Sequence, residues 1–248
     1  MKIKNLFFTV FFIAAGIYFY QTFFFKKTDS SVLVVGTSPD FHPFCFIDEQ
    51  GKITGFDIDV ITEVAHRLNK KIQFEDRPFN TLILELTGNQ IDIIASGTTP
   101  SEERKKHILF TDIILQGDPL VVLSKEPIRS LEELLQKNII SVTGYTADSY
   151  LSNLNPVKPL IRLKNPSEAL LALQSNAGDA FVSAKNAIQG FLEQHHTYHI
   201  WEIPNTGDSY AFAVRLGNHE LCNQINSVLA AMKGDGTLQA LIAKWKMQ

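Results

Sequence analysis

The chain has 248 residues, of which 45% are hydrophobic and 20% charged, and this length and balance suit a globular protein with a sizeable core. A formal net charge of −3 excludes the basic footprint that a nucleic-acid-binding protein needs. The two cysteines, Cys45 and Cys222, have no partner at metal-ligand spacing, and we expect neither a metal nor another cofactor. In an exported protein they are compatible with a disulfide, and equally with two buried thiols.

The first 27 residues differ from the rest of the chain. Lys2 and Lys4 precede an apolar run over 6–25, which two further lysines close. A positive start followed by an apolar stretch is typical of an export signal, and about 20 apolar residues also suffice to span a bilayer. Residues 1–27 are therefore predicted to be a signal peptide or an uncleaved N-terminal membrane anchor, with the mature domain periplasmic or otherwise extracytoplasmic.

Apolar runs alternate with helical patterns along the mature chain, which predicts an α/β fold with mostly parallel sheets. A hairpin turn is predicted over 47–53. Strands are predicted at 32–37, 72–75, 91–95, 120–123, 139–142, 180–182 and 211–214. Helices are predicted at 60–68, 81–87, 131–135, 147–151, 166–174, 188–194, 221–232 and 238–246.

Two clusters of chain-breaking residues, 116–119 and 204–208, each precede a predicted strand. If the chain crosses from one lobe to another at each of these clusters, a first lobe is built from 32–114 and 210–248, and a second lobe from 119–205. The hinge is then expected near 115–118 and 204–209. A small ligand is expected in the cleft between the lobes, at strand carboxyl ends and helix starts.

The stretch from Ser96 to Lys106 follows a predicted buried strand and begins a helix. Its small residues, Ser96 and Gly97 among them, let a ligand approach the backbone, and the unpaired amides of a helix start favour an anionic group. Arg104, one turn into the helix, offers a planar fork to a carboxylate. A capped helix with a solvated Arg-Lys-Lys run explains the same residues, so the local pattern leaves both interpretations open.

Four stretches carry a resemblance to a known family. They are 36–44, the Gly-Phe-Asp-Ile-Asp run at 55–59, the stretch 92–104, and 234–238 followed by Lys244-Trp245. Together and in this order they resemble the polar amino-acid solute-binding proteins of ABC importers, the smaller type of periplasmic binding protein. The resemblance implies a two-lobed type II periplasmic-binding-protein fold with a two-strand hinge. It also implies a monomer that binds an amino acid or related small carboxylate and delivers it to a membrane permease.

The resemblance implies binding roles for the polar residues of the cleft. Arg104 would pair with the ligand α-carboxylate, aided by the Thr99 amide and by Thr146 from the second lobe. The Thr99 hydroxyl and the carbonyl of Gly97 or Ser96 would accept hydrogen bonds from the α-ammonium.

Phe41 and Phe79 would clamp the ligand side chain, since flat apolar walls exclude water. Ordinary core packing is the alternative for these two residues, in a chain with 18 phenylalanines.

The sequence departs from the family pattern at two positions. Ser38 is predicted to be a ligand-binding residue, at the position where binders of basic ligands carry an acid. Because serine cannot form that ion pair, a basic ligand is not expected unless Asp40 substitutes. The family typically places an aspartate for the α-ammonium where Ala184 stands, and losing such a charge-assisted bond costs about 1.5–3 kcal/mol. Either an acid such as Asp208 reaches in from the hinge, or the ligand is not a standard α-amino acid.

Two other functions stay open beside non-catalytic binding, which is the leading hypothesis. A few proteins of this fold are dehydratases that act on cyclohexadienyl acids, and such an enzyme needs a carboxylic acid near its ligand as general acid. Glu202, Asp208 and Asp40 are candidates, but none lies in a recognisable catalytic motif. A ligand sensor held at the membrane by the N-terminal segment is the third hypothesis.

Overall fold

Buried, mainly apolar runs form the central strands of two sheets in the computed structural model, which describes residues 31–154 and 158–247. Runs such as 120–124, 139–142 and 180–184 are buried at every position. Apolar and β-branched side chains of this kind pack on both faces of a sheet that helices cover. The predicted signal peptide or anchor at 1–27 lies outside the described residues. Within the described part, no helix is long and apolar enough to cross a membrane.

The strands and helices alternate along the chain. The strands are β1 (Val32–Thr37), β2 (Asp40–Phe41), β3 (Cys45–Ile47), β4 (Ile53–Thr54), β5 (Lys71–Asp76), β6 (Ile93–Ile94), β7 (Ile108–Phe110), β8 (Leu115–Asp118), β9 (Leu120–Ser124), β10 (Ile139–Val142), β11 (Ile161–Leu163), β12 (Ala180–Ala184), β13 (His199–Glu202), β14 (Asp208–Tyr210) and β15 (Ala213–Arg215). The helices are α1 (Phe56–Arg67), α2 (Leu82–Thr87), α3 (Glu102–Lys105), α4 (Leu131–Leu135), α5 (Thr146–Asn153), α6 (Pro166–Gln174), α7 (Lys185–Gln194), α8 (His219–Gly234) and α9 (Thr237–Lys244).

The first sheet has the order β5-β1-β6-β15-β7 and the second has the order β11-β10-β12-β9-β13. Each sheet combines parallel and antiparallel pairs: β1 is parallel to β6 and β10 to β12, whereas β15 and β9 run antiparallel to their neighbours. Strands β8 and β14 form a separate antiparallel pair, through which the chain passes between the two sheets. This topology confirms the predicted α/β fold class with two sheets and a two-strand hinge.

Helices cover both faces of each sheet because neighbouring residues of a strand point to opposite sides. In β1, Val35 packs into a core with α1 and α8, while Val34 packs against the core of α2 on the other face. The second sheet likewise divides its strands between two apolar cores. The sheets are therefore rigid supports for the loops at their strand ends.

Helix α1 begins at Phe56, four residues before its predicted start, because the preceding loop satisfies its first amides. The Phe56 and Asp57 N–H groups donate to the carbonyls of Pro43 and Phe44, both at 2.9 Å. Gly55 has φ +137°, and a Cβ there would lie 2.3 Å from the Phe44 carbonyl oxygen. The turn therefore requires glycine at this position.

Four short strands were not predicted from the sequence, namely β2, β7, β11 and β13, and the hinge strands β8 and β14 were implied only by the family resemblance. Strands β11 and β13 lie at sheet edges and are largely exposed, so they lack the apolar run that marks a buried strand. Strands β8 and β14 fall within or beside the predicted chain-breaking clusters and are strands because they pair with each other. Tertiary pairing, rather than local pattern, determines these elements.

The two cysteines are free thiols, and both are buried. The Cys45 thiol donates to the Ser38 carbonyl at 3.1 Å, and the Cys222 thiol donates to the Phe110 carbonyl at 3.4 Å. Burial raises the pKa of the Cys45 thiol to about 12. Cys45 is therefore a small, unreactive core residue rather than a nucleophile.

Removal of one hydroxyl from the hinge tests how far its hydrogen bonds stabilise the fold. The buried Tyr210 hydroxyl donates to Asp118 Oδ2 at 2.6 Å, and Asp118 Oδ1 accepts the Asn186 N–H at 3.0 Å. Because Tyr210→Phe leaves a buried carboxylate oxygen without its donor, we expect the free energy of unfolding to fall by about 1–3 kcal/mol. Urea denaturation measures this change. In the control, Tyr198→Phe removes a hydroxyl from a ring that packs on Phe191, away from the hinge. Equal effects of the two substitutions would contradict the assignment.

Candidate functional site

One cavity is lined by residues from the loops and short elements next to the first sheet, from β12 and the turn after β10 in the second sheet, and from β14 of the hinge pair. It holds one basic and one acidic side chain, Arg104 and Asp208, among twelve lining residues. The lining residues are Phe41, Phe79, Gly97, Thr99, Arg104, Tyr145, Thr146, Ala147, Ser183, Ala184, Asp208 and Tyr210. An aromatic wall beside a single pair of opposite charges suits a small zwitterion.

Most residues predicted for the site line this cavity, but two do not. Ser38 and Ser96 are buried and bond to one another, since the Ser38 N–H donates to Ser96 Oγ at 3.0 Å. The Ser38 hydroxyl donates to Asp40 Oδ1, also at 3.0 Å. These serines hold the end of β1 against the loop after β6. Arg104, Thr99, Gly97, Phe41, Phe79, Thr146 and Asp208 are the predicted residues that the cavity brings together.

The loop over 96–99 is held in place by backbone contacts from several elements. Asp57, at the start of α1, accepts the Gly97 N–H on Oδ2 at 2.6 Å. The Thr98 carbonyl accepts the Ala211 N–H at 3.1 Å. Gly97 has φ +56°, and a Cβ there would lie 2.4 Å from the Phe41 ring. Only glycine allows the loop to approach Phe41 this closely.

Arg104 reaches the cavity from α3, a single helical turn. The Ser101 hydroxyl accepts the Arg104 N–H at 3.2 Å and so caps the helix. The guanidinium donates to the carbonyls of Thr99 at 2.8 Å and Gly144 at 3.0 Å, and it lies 5.2 Å from the centre of the Phe79 ring. Burial lowers the pKa of Arg104, and the nearby Asp208 carboxylate raises it. The remaining N–H groups of the fork stay available to an anionic group.

Asp208 begins β14 and is buried in the same cavity. Its Oδ2 accepts the Thr146 hydroxyl at 2.6 Å. Burial raises the pKa of Asp208 to about 6, against the lowering effects of the Thr146 hydrogen bond and the Arg104 charge. Ala184, at the position where the resemblance implies an aspartate, lines the cavity too. Asp208 in the hinge thus supplies a carboxylate to the cavity. Ala184, in the wall formed by the second sheet, has none.

Sequence reasoning gave no role to Tyr145, although its ring forms part of the cavity wall. Tyr145 follows the glycine turn after β10, and its ring contacts Phe79 at 4.8 Å and Phe41 at 5.3 Å between centroids. Phe41 in turn stacks on Phe44 at 4.9 Å. The signal that could have identified Tyr145 in the sequence is its position: a large aromatic residue in a glycine turn between a buried strand and a helix. Ser183, Ala147 and Tyr210 also line the cavity without having been predicted.

Comparison with known proteins identifies the family. A family model described as bacterial extracellular solute-binding proteins, family 3, matches residues 33–248, and the chain belongs to this family. The ABC transporter glutamine-binding protein GlnH of Bacillus subtilis (strain 168) is 31% identical over 223 residues, covering 88% of this chain and 82% of that protein. Solved structures of an ancestral arginine-binding protein bound to arginine and of one bound to glutamine give TM-scores of 0.82 and 0.81, both at 34% identity. Each match covers 87% of this chain, and 98% and 97% of the two structures.

These comparisons confirm the predicted family, fold class and solute-binding role. The curated relatives are named as amino-acid-binding or transporter-binding proteins, which confirms a binding protein over the dehydratase alternative. The family description is extracellular, in agreement with the predicted extracytoplasmic location. The roles of individual cavity residues stay predictions.

The buried Asp57 carboxyl gives the stability of the loop a testable pH dependence. Burial raises the pKa of Asp57 to about 7, although the Gly97 hydrogen bond lowers it, and Oδ1 has no hydrogen-bond partner among the described residues. The folded protein therefore holds a proton that the unfolded chain releases above its ordinary pKa of 3.8. The contribution of Asp57 protonation to the free energy of unfolding therefore falls as pH rises from about 4 to about 7, and this contribution is constant above that range.

Asp57→Asn removes the titrating group, so the difference in unfolding free energy between variant and wild type is expected to change between pH 5 and pH 8. Urea denaturation at these two pH values measures it. Asp92→Asn is the matched control, because the Asp92 carboxylate also accepts a backbone N–H, that of Val34 at 2.9 Å. A difference for Asp57→Asn that stays constant with pH would contradict the argument.

Proposed function

We propose that the protein is the extracytoplasmic binding component of an ABC importer and that its ligand is an amino acid. The observation that carries this proposal is the pairing of Arg104 and Asp208 in one cavity. The two ionised groups of an amino acid need one partner of each sign. A cavity with a single base and a single acid satisfies both of them without leaving a buried charge unpaired.

Arg104 is the partner of the ligand α-carboxylate in this proposal. Its guanidinium is fixed by the Thr99 and Gly144 carbonyls, so the fork is oriented before a ligand arrives. A pre-oriented planar donor binds a carboxylate in bidentate fashion with little loss of side-chain freedom. Thr99 and Thr146 add polar groups on either side of it.

Asp208 is the partner of the α-ammonium. Its carboxylate replaces the one that Ala184 lacks, and the Thr146 hydroxyl holds it towards the cavity. Because the cavity has no second acid among its lining residues, a cationic ligand side chain would find no carboxylate there. The site therefore favours an amino acid with an uncharged side chain, and the glutamine-binding relative agrees with such a ligand.

Ligand binding is proposed to draw the two sheets together around the hinge. Arg104, in the loop region after β6, already contacts Gly144 after β10, while Thr146 contacts Asp208 in the hinge pair. A ligand held between these groups stabilises the closed arrangement, which a permease then recognises. The protein acts as a monomer in this scheme. Residues 1–27 direct export, as a cleaved signal peptide or a retained anchor.

Loss of Arg104 is expected to abolish binding. For Arg104→Ala, we expect the affinity for amino acids to fall at least about a hundredfold, because a buried carboxylate loses its charged partner. A thermal-shift screen of the amino acids, followed by calorimetry on the hits, measures the loss. Lys106→Ala is the matched control, since Lys106 lies two residues away but is exposed and pairs with Glu103. Unchanged affinity in Arg104→Ala would contradict the carboxylate assignment.

Binding is also expected to depend on pH through Asp208. The ammonium pairs with the ionised carboxylate, so affinity should fall by up to about tenfold per pH unit as pH drops below the pKa of Asp208, about 6. Calorimetry between pH 5 and pH 8 measures this change. Asp208→Asn should weaken binding about ten- to a hundredfold and remove the pH dependence.

Moving the carboxylate is the sharper control for Asp208. Adding Ala184→Asp to Asp208→Asn restores an acid to the cavity from the opposite wall, and we expect part of the lost affinity to return. If Asp208→Asn binds as tightly as wild type at every pH, Asp208 is not the partner of the ammonium.

A further inference from the structure

The aromatic part of the cavity is already occupied by three of the protein's own rings. Tyr145 meets Phe79 edge-on at 4.8 Å and Phe41 at 5.3 Å between centroids, which are contact distances for aromatic pairs. The whole cavity, including the part beside Arg104 and Asp208, has a volume of about 20 Å³. No side chain of appreciable length fits between these rings as they stand.

The aromatic wall lies beside the proposed positions of the ligand α-groups. With the α-groups held at Arg104 and Asp208, the rest of the lining is aromatic or small. The Arg104 guanidinium lies 5.2 Å from the centre of the Phe79 ring, so the proposed carboxylate position borders the aromatic wall directly. A ligand side chain that extends along this wall therefore meets the ring cluster.

The three rings are held by different supports. Phe41 is buried, stacks on Phe44 and closes over Gly97. Tyr145 packs against the cores of both sheets, and its N–H donates to the Val142 carbonyl at 3.2 Å. The carbonyl of the preceding Gly144 accepts from Arg104. The carboxylate-binding arginine thus holds the turn that carries the Tyr145 ring.

We propose that Tyr145 limits the size of the ligand, so that the protein selects amino acids with short side chains, of the size of glycine, alanine or serine. The proposal rests on the proposed function, since it assumes that Arg104 and Asp208 hold the α-groups. A longer side chain binds only after the Tyr145 ring has left its contacts with Phe41 and Phe79. That displacement exposes aromatic surface and weakens binding of the longer ligand.

Ligand panels on three proteins test the proposal: wild type, Tyr145→Ser and Tyr145→Phe. Calorimetry with glycine, alanine, serine and glutamine gives the affinity ratios. We expect wild type and Tyr145→Phe to bind alanine or serine at least tenfold more tightly than glutamine, because both keep the ring. In Tyr145→Ser the ring is gone, and the ratio should fall at least tenfold in favour of glutamine.

The outcomes separate this proposal from the one on which it rests. Wild-type preference for glutamine over alanine overturns the size limit whether or not Tyr145→Ser folds. A wild-type preference for short side chains that Tyr145→Ser leaves unchanged also overturns it, while amino-acid binding itself stands. If none of the amino acids binds to any of the three folded proteins, the proposed function fails, and the size limit fails with it.

Discussion

The cavity depends on one buried hydrogen bond, from the Gly97 N–H to the Asp57 carboxyl. This contact fixes the loop at the carboxyl end of β6 against the first turn of α1. It holds Gly97 at a positive φ and against the Phe41 ring, a position that excludes any Cβ. The Thr99 carbonyl, two residues on, then orients the Arg104 fork. The Asp57 carboxyl has no contact with the ligand in this proposal. It nevertheless determines the position of the residues that we propose bind the ligand.

The Gly-Phe-Asp-Ile-Asp run at 55–59 also connects the cavity to the C-terminal helix. Asp59, two residues after Asp57, accepts from Lys244 Nζ at 2.6 Å and from Trp245 Nε1 at 2.8 Å. Asp57 is buried against the loop, while Asp59 faces the helix that closes the chain. The aspartates of the Gly-Phe-Asp-Ile-Asp run thus hold together sequence stretches that lie far apart.

Much of the fold and of the site follows from local sequence, and the rest follows from contacts between distant residues. Buried strands such as β9 and β10 are mainly apolar runs, and Arg104 lies in a capped turn that the sequence predicts. Ser38 and Ser96 were predicted to bind the ligand, and the structure places them outside the cavity lining, where the Ser38 N–H donates to Ser96 Oγ because β1 and β6 are adjacent strands. The role of Tyr145 in the cavity wall was not predicted. Its ring contacts Phe41 and Phe79, which lie far away in the sequence, and a local sequence pattern does not indicate such contacts.

Because the chain passes through the hinge twice, the two sheets are completed at different stages of synthesis and export. The strands of the second sheet, β9 to β13, are continuous along the chain, whereas the first sheet takes β15 from beyond them. Strand β15 lies between β6 and β7, which do not pair with each other. A chain that emerges from its N-terminus therefore carries two open strand edges, those of β6 and β7, until β15 arrives after all strands of the second sheet. The first sheet, whose strands β6 and β7 flank the helix of Arg104 in the sequence, is therefore completed after the second sheet.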